Sequence, residues 1–255
     1  MDQAGNRRRG AHRVLRALTA AALAALLVSA CTSPQDDGAA PSSSPSASPD
    51  PTVAPLREAR EGWKVFTDPA RLVSFELPQE WVVQPLEAEP GGYAADSLHY
   101  AVRTPEGTTA AEFHSGIQKA EAPCPEAERA PYYVIGSEPL DLTGEPPAAT
   151  DIGPRFVVRL ITGFRFFGAF GVTDQVGGAD GLACSLPNTV QGSDGLGRFS
   201  FGDLEVLMPK SPANTGPQTV SFGTIGEAEA HYSAPEFATI REMIMSVQAA
   251  TDPEG

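Results

Sequence analysis

The sequence is poor in lysine and in long apolar runs. Only three lysines occur among its 255 residues, acidic residues outnumber basic ones, and the formal net charge is −14. A surface of this sign repels phosphate backbones, so we expect no nucleic acid among its partners. No apolar run reaches the length of about 18 residues that a transmembrane helix requires.

Motifs for metal binding and for nucleophilic catalysis are also missing. There is no Cys-x-x-Cys or His-x-x-x-His spacing, so we expect no metal site, and no cofactor motif is present. Gly192-Ser193-Asp194-Gly195 has only one correctly placed glycine of the Gly-x-Ser-x-Gly pattern and is typical of a turn. Asp174 and Asp180 flank Gly177-Gly178, but the ligand order of a calcium loop is absent. That absence favours a solvated hairpin loop.

A basic start is followed by a short apolar segment. Five arginines precede the apolar residues 17–28, which are too few to cross the hydrocarbon core of a bilayer. Small residues then follow, which is typical of a signal peptide at residues 1–30. That segment holds five arginines and one aspartate, so its removal would take the formal charge from −14 to −18.

The end of this segment, Val28-Ser29-Ala30-Cys31, resembles the bacterial lipobox, in which an aliphatic and two small residues precede a cysteine. The resemblance implies cleavage before Cys31, a diacylglycerol on its sulfur, and often a further acyl chain on the new amino terminus. Each buried CH₂ of such chains contributes about 0.8 kcal/mol. We therefore expect a lipoprotein anchored to the cell membrane, facing the extracytoplasmic side. A secreted protein with an unpaired cysteine is the alternative.

After the signal peptide, the composition divides the chain into a linker, one globular domain and a short tail. Residues 31–55 comprise the lipidated cysteine and a linker rich in serine and proline, which cannot bury enough apolar area to become ordered. As a mixed coil, the linker would span roughly 25–30 Å. From Leu56 the composition is that of a folded protein, so we expect one globular domain at residues 56–250 and a flexible tail at 251–255.

Two cysteines remain once Cys31 is assigned to the lipid. An exported pair outside the reducing cytosol is most simply a disulfide, so we predict a bridge between Cys124 and Cys184. In the chain-entropy model, a closed loop of this length contributes about 4 kcal/mol.

Short segments of alternating apolar and polar residues predict a sheet. Residues 156–161 and 164–172 are the most apolar and predict a central hairpin, with a bulge at Phe166-Phe167 or a strand buried on both faces. Residues 97–102 and 111–117 predict a second hairpin around Pro105-Glu106-Gly107. Further short strands are predicted at residues 63–66, 72–77, 132–135, 186–190, 198–201, 204–208 and 219–222.

One helix is predicted near the carboxyl end. Ser233 and Glu236 have the spacing of a capping box. An apolar stripe at three- and four-residue spacing follows, made of Phe237, Ile240, Met243, Ile244 and Val247. The sequence thus predicts an α+β fold, in which a C-terminal helix packs on a mainly antiparallel β-sheet.

Two histidines and four phenylalanines are candidate site residues. His99 and His114 lie on the two arms of the second hairpin and could face each other, where they could bind a metal or shuttle protons. Two histidines on a solvated face are the interpretation we favour. An apolar pocket or, more commonly, core could be formed by Phe164, Phe166, Phe167 and Phe170.

Two fragments resemble PsbP-like domains, a group with many bacterial lipoproteins. Val73-Ser74-Phe75-Glu76-Leu77-Pro78-Gln79-Glu80-Trp81 resembles their strand-Pro-x-x-Trp start, and residues 232–247 resemble their terminal helix. The resemblance implies an antiparallel sheet covered by helices. It carries over no catalytic residue, because such domains generally act by binding or assembly.

These observations leave two functions open. The first is a non-enzymatic binding or assembly module of the cell envelope, which is tethered to the membrane through Cys31 and takes an envelope protein or a small ligand. The alternative is an envelope hydrolase of glycans or esters, whose two carboxylates would face each other at about 5–9.5 Å across a cleft. No catalytic residue is singled out, and we favour the first.

Overall fold

The computed structural model describes residues 59–70, 72–87, 91–118, 123–142, 152–178, 180–193, 195–209 and 220–249. The predicted signal peptide, Cys31, the linker and the tail lie outside these residues. In chain order the elements are β1 Trp63–Thr67, β2 Val73–Pro78, β3 Val82–Pro85, β4 His99–Arg103, β5 Thr109–His114, β6 Ala130–Pro139, β7 Arg155–Thr162, β8 Phe166–Thr173, β9 Leu182–Ala183, β10 Leu186–Pro187, β11 Val190–Gln191, β12 Arg198–Gly202, β13 Val206–Leu207, β14 Val220–Phe222, α1 Ile225–Tyr232, α2 Pro235–Met245 and β15 Gln248–Ala249.

The largest sheet of the described residues is antiparallel throughout. Its strands follow the order β3-β4-β5-β12-β8-β7-β6-β9, while β11 pairs with β12 and β14 pairs with β8. Two smaller sheets have the orders β1-β2-β15 and β10-β13. Together with the two helices, this architecture confirms the predicted α+β class with a mainly antiparallel sheet.

The predicted central hairpin is formed by β7 and β8. Their register runs without a shift from Arg155 opposite Thr173 to Thr162 opposite Phe166, so the strands contain no bulge where they pair. Residues 156–161 are all buried, because the sheet is covered on both faces here. Phe164 lies in the connecting turn instead of the strand and is 78% exposed.

The main core lies between the large sheet, the β1-β2-β15 sheet and α2. Strand β2 contributes Val73, Phe75 and Leu77, all buried, and Phe75 packs against Phe201 of β12 with ring centroids 4.8 Å apart. The stripe of α2 faces the same core, as predicted from its spacing. Its buried members within the helix are Phe237, Met243 and Ile244, and Val247, just after the helix, is buried in the same core.

The predicted capping box at the C-terminal helix is wrong. Helix α2 begins at Pro235, and Ala234 precedes it without a side-chain capping bond. Ser233 instead follows the last residue of α1, so its side chain is not at a helix start. Proline suits this first position, since its missing N–H would have had no helical partner.

The capping box that does form belongs to α1, which the sequence reasoning missed. The Thr224 hydroxyl accepts a hydrogen bond from the Glu227 N–H at 3.1 Å, and the Glu227 carboxylate accepts one from the Gly223 N–H at 2.7 Å. Helix α1 buries Ala228 against Leu160 and Phe222. Its apolar stripe is too short to be recognised by periodicity alone.

The predicted disulfide joins Cys124 and Cys184, whose Cα atoms lie 5.6 Å apart. The bridge connects the segment before β6 with the residue after β9, and these two strands pair with each other. The closed loop therefore contains β6, β7, β8 and β9. Neither helix of the described residues is long and apolar enough to span a membrane.

Candidate functional site

Both tryptophans of the chain line one groove of about 550 Å³, which we call the tryptophan groove. Trp63 begins β1, and Trp81 follows the turn after β2. Pro78 lies between them, since it pairs with Trp63 in the ladder and its carbonyl accepts from the Trp81 N–H at 3.0 Å. The β1–β2 hairpin therefore places the two indoles at the same end of the small sheet.

The other walls of the tryptophan groove come from distant parts of the chain. The turn between β4 and β5 contributes Thr104, Pro105 and Glu106. That turn is closed by a hydrogen bond from the Gly107 N–H to the Thr104 carbonyl at 2.9 Å, with Gly107 at a φ of 83°. The first turns of α2 contribute the third wall, formed by Glu236, Thr239 and Ile240.

Charge in the tryptophan groove has one sign. Its described lining residues include the carboxylates of Glu106 and Glu236 and no lysine, arginine or histidine. Arg60 lies beside the groove, with its guanidinium carbon 3.9 Å from the centroid of the Trp63 ring. Arg60 itself forms ion pairs with Glu76 of β2, at 2.7 Å, and with Glu242 of α2, at 2.8 Å.

The Glu106 carboxyl is held in its charged form. The neighbouring Thr104 hydroxyl lowers the pKa of Glu106, although the two groups fall short of a well-aligned hydrogen bond, and the Glu106 backbone N–H lowers it further. A general acid must carry a proton near neutral pH, so a carboxyl with a lowered pKa is poorly suited to that role. Glu106 is thus suited to attracting a cation or accepting a hydrogen bond.

His99 and His114 face each other across β4 and β5, as the hairpin predicted. They are register partners, and their Nδ1 atoms lie 2.8 Å apart. His99 is buried and His114 is partly buried, so the expected solvated face is wrong. Tyr93 covers the pair, with its ring edge-on to His99 at 4.6 Å and its hydroxyl donating to Glu205 at 2.7 Å.

The histidine pair continues into a line of four hydrogen-bonded side chains. Ser97 Oγ lies 2.7 Å from His99 Nε2, and His114 Nε2 lies 3.3 Å from a Glu112 carboxylate oxygen. A carboxylate only accepts, so neutral His114 donates from Nε2 and accepts at Nδ1. His99 then donates from Nδ1 and accepts from the Ser97 hydroxyl. All four ring nitrogens are satisfied with both imidazoles neutral.

This line has the order of a nucleophile, a base and orienting groups, but the N–H groups of Ser97 and Leu98 are not available to bind an oxyanion. Acyl transfer to Ser97 would require nearby N–H groups that can bind the developing oxyanion. The Ser97 N–H already donates to the Ala94 carbonyl at 3.2 Å, and the Leu98 N–H donates to Ser115 Oγ at 2.8 Å. The geometry therefore supports a structural and proton-holding role for the line over catalysis.

A second depression, of about 730 Å³, lies beside β6. Its walls include Tyr133, Val134 and Val176, which are exposed, and the backbone of Gly177-Gly178. Its only described acidic lining residue is Glu229. This depression is larger than the tryptophan groove, but it offers fewer groups that could orient a ligand.

The two aspartates around Gly177-Gly178 do not converge. Asp174 is buried and bonds to Arg198 at 3.0 Å, while Asp180 bonds to Arg129 at 2.5 Å. The prediction of a solvated hairpin loop is therefore wrong for Asp174. The segment that contains Asp174 connects β8 to β9, and β9 pairs with β6. Within the described ranges, no group of three or more His, Cys, Asp and Glu side chains could hold a metal ion.

The four phenylalanines separate rather than form one pocket. Phe167 and Phe170 are buried in two different core clusters on opposite faces of β8. Phe166 is partly buried and Phe164 is exposed. Ser193 lies in the turn between β11 and β12, as predicted, with its carbonyl accepting from the Leu196 N–H at 3.0 Å.

Sequence reasoning missed the tryptophan groove. The useful signal was the presence of only two tryptophans, one at the start of the predicted strand 63–66 and one shortly after the predicted strand 72–77. Glu106 and Glu236 carried no local signal, because they come together only when the β4–β5 turn and α2 pack beside that hairpin. Comparisons with known protein families, with curated proteins and with solved structures find no match for this chain.

Proposed function

We propose that this protein is a non-enzymatic binding module of the cell envelope, tethered to the extracytoplasmic side of the membrane by a lipid on Cys31. Its ligand occupies the tryptophan groove. The observation that carries this proposal is the convergence of both tryptophans with two carboxylates on one groove. Large aromatic surfaces with a few polar groups to orient a ligand are typical of small-molecule sites.

The proposal extends the fold to a PsbP-like sandwich on the basis of the two sequence fragments. An antiparallel sheet covered by α1 and α2 supports that extension. A ligand bound by a tethered domain stays close to the membrane, where an envelope protein could receive it. The acidic surface also supports a role away from nucleic acid, since it repels phosphate.

Ligand-observed NMR tests the proposed function. A panel of neutral sugars, organic anions and organic cations would be screened against the folded protein and against Trp81→Leu. We expect at least one compound to bind the wild type, to lose binding to Trp81→Leu and to remain chemically unchanged after prolonged incubation. Absence of binding across the panel, or binding that Trp81→Leu does not affect, would contradict the proposal.

A hydrolase is the second candidate, favoured by one observation. Glu106 and Glu236 line the same groove, as a pair of catalytic carboxylates would. The lowered pKa of Glu106 leaves the role of general acid to Glu236. Incubation with glycan and ester substrates distinguishes the two functions: turnover by the wild type that Glu236→Gln abolishes would replace the binding module with an enzyme.

A further inference from the structure

We propose that the ligand of the tryptophan groove is a small organic cation carrying a quaternary ammonium group, held between Trp63 and Trp81 and balanced by Glu106 and Glu236. The inference rests on the proposed function and narrows it to one ligand class. Its support comes from the charge, the rings and the size of the groove.

The charge of the groove is complementary to a cation. Its two carboxylates are not matched by any positively charged side chain among the described lining residues. Arg60 does not supply the missing charge, because it is already shared between Glu76 and Glu242. A cationic ligand would meet two negative groups in the described lining, and the cation beside Trp63, Arg60, is already balanced by two other carboxylates.

The negative charge also persists in mild acid. The Thr104 hydroxyl and the Glu106 backbone N–H lower the pKa of the Glu106 carboxyl. Glu106 therefore takes up a proton at a lower pH than an ordinary exposed glutamate does. Its contribution to cation binding should accordingly persist further into the acid range.

The aromatic rings favour a cation that gives up its water easily. The face of an indole attracts cations, and quaternary ammonium groups are the ligands that aromatic sites take most readily. One face of Trp63 already lies against a cation, the Arg60 guanidinium at 3.9 Å. The rest of that ring borders the groove with Trp81, so a second cation can contact both indoles.

The size of the groove suits a small molecule. A volume of about 550 Å³ falls within the range of small-ligand sites. The walls come from three separate segments, in which Trp63, Trp81 and Ile240 are half-buried and pack against the main core, while Glu106 and Glu236 are exposed at the rim. A site with walls anchored in this way is formed before the ligand arrives, which limits the entropy lost on binding.

Intrinsic fluorescence tests the inference directly, since the only two tryptophans of the chain are both in the groove. The folded protein would be titrated with choline and with 3,3-dimethylbutan-1-ol, its neutral isostere. We expect choline to change the emission at lower concentration, with affinity higher by about 5- to 30-fold, because only the cation gains from the rings and carboxylates. Salt should weaken choline binding and leave the isostere unaffected.

Matched variants assign the effect to the groove. Glu106→Gln and Glu236→Gln each remove one charge from the lining, and each should weaken choline binding several-fold. Glu128→Gln removes the same charge from the exposed turn before β6 and should leave the affinity unchanged. Calorimetry replaces fluorescence for Trp81→Leu, which removes one of the reporters and should abolish selection of choline over its isostere.

The possible outcomes distinguish failure of the cation class from failure of the proposed binding function. If the isostere binds as tightly as choline, the groove is a binding site and the cation class is wrong. If a lysine-rich peptide binds while choline does not, the occupant is a peptide, and the inference is likewise overturned. If choline, its isostere and the peptide all leave the emission and the heat signal unchanged, the choice of the groove as the binding site is wrong as well.

Discussion

His99 and His114 share one hydrogen bond between their Nδ1 atoms, 2.8 Å apart across neighbouring strands. One proton fits between the two nitrogens. With both rings neutral the line runs from Ser97 toward Glu112, and one proton added to His99 Nε2 reverses only the bond to Ser97 and breaks none. Two added protons would place a hydrogen on each Nδ1, and the contact would become repulsive.

Replacing His114 therefore tests the shared bond. His114→Ala leaves His99 Nδ1 without its acceptor in a buried position, which we expect to cost about 1–3 kcal/mol of unfolding free energy. His114→Asn retains an acceptor oxygen and should recover part of that loss. Urea denaturation at pH 7.5 measures both, and equal stabilities of the wild type and the alanine variant would show that the bond contributes nothing.

Asp203 should make stability fall as the pH rises. Burial raises the pKa of this carboxyl well above its usual value, although backbone N–H groups, Phe170 first, oppose the shift. Stability from the neutral form is complete below the unfolded-state pKa near 3.9 and is lost as the pH rises through the folded-state pKa. Asp203→Asn should thus raise stability by roughly 1–3 kcal/mol at pH 7 and change it little at pH 4.

Thermal melts of the wild type and Asp203→Asn between pH 4 and pH 8 give this comparison. Asp180→Asn serves as the control. Desolvation alone would raise the pKa of Asp180, but the Leu182 N–H and Arg129 together outweigh it and lower the pKa. Its contribution has the opposite sign, being lost as the pH falls. An Asp203→Asn difference that stays constant across the range would exclude titration of Asp203 as the cause.

The disulfide should hold the β6–β9 end of the large sheet. Its loop spans a sequence separation of 60 residues, so the chain-entropy model gives about 4 kcal/mol at 25 °C. We expect the double replacement Cys124→Ser/Cys184→Ser to lower the unfolding free energy by about 2–5 kcal/mol. Chemical denaturation of the wild type with and without reductant provides the matched control, and an unchanged midpoint after reduction would refute the prediction.

The amino end of α1 has a side-chain cap and that of α2 has none, so alanine at Thr224 and alanine at Ser233 should have different effects on stability. Thr224→Ala removes the hydroxyl that accepts from the Glu227 N–H, which should cost about 1 kcal/mol. Ser233→Ala lies between the helices and caps neither amino end, so it should cost less than about 0.5 kcal/mol. Equal losses would indicate that Ser233 stabilises the start of α2 after all.

The proposed lipid anchor at Cys31 predicts acylation of one cysteine. Metabolic labelling with palmitate should mark the wild type and leave Cys31→Ser unlabelled, because the sulfur is the proposed attachment point. The unlabelled variant should also shift from the membrane fraction to the soluble fraction. Equal labelling of the two chains would end the proposal of an anchor at Cys31.

Local patterns in the sequence determined several parts of this protein. The predicted arms, residues 97–102 and 111–117, were enough to place His99 opposite His114, because each histidine lies three residues from the end of its arm nearest the turn. A register shift between Val102 and Arg103 accommodates the extra residue beside the turn. Helical spacing was enough for the buried stripe of α2, and the count of cysteines was enough for the disulfide. Each of these depends on residues close in sequence or on a single possible pairing.

Only the tertiary structure decided the composition of the tryptophan groove and the burial of Asp174. Trp63 and Glu236 are far apart in the chain and line one groove because the small sheet and α2 pack on the same face of the large sheet. Whether Asp174 would be solvated or buried likewise depended on Arg198 from a distant strand. Side-chain periodicity specifies which face of an element is buried, but the choice of what covers that face is made by long-range packing, for which the sequence has no repeating pattern.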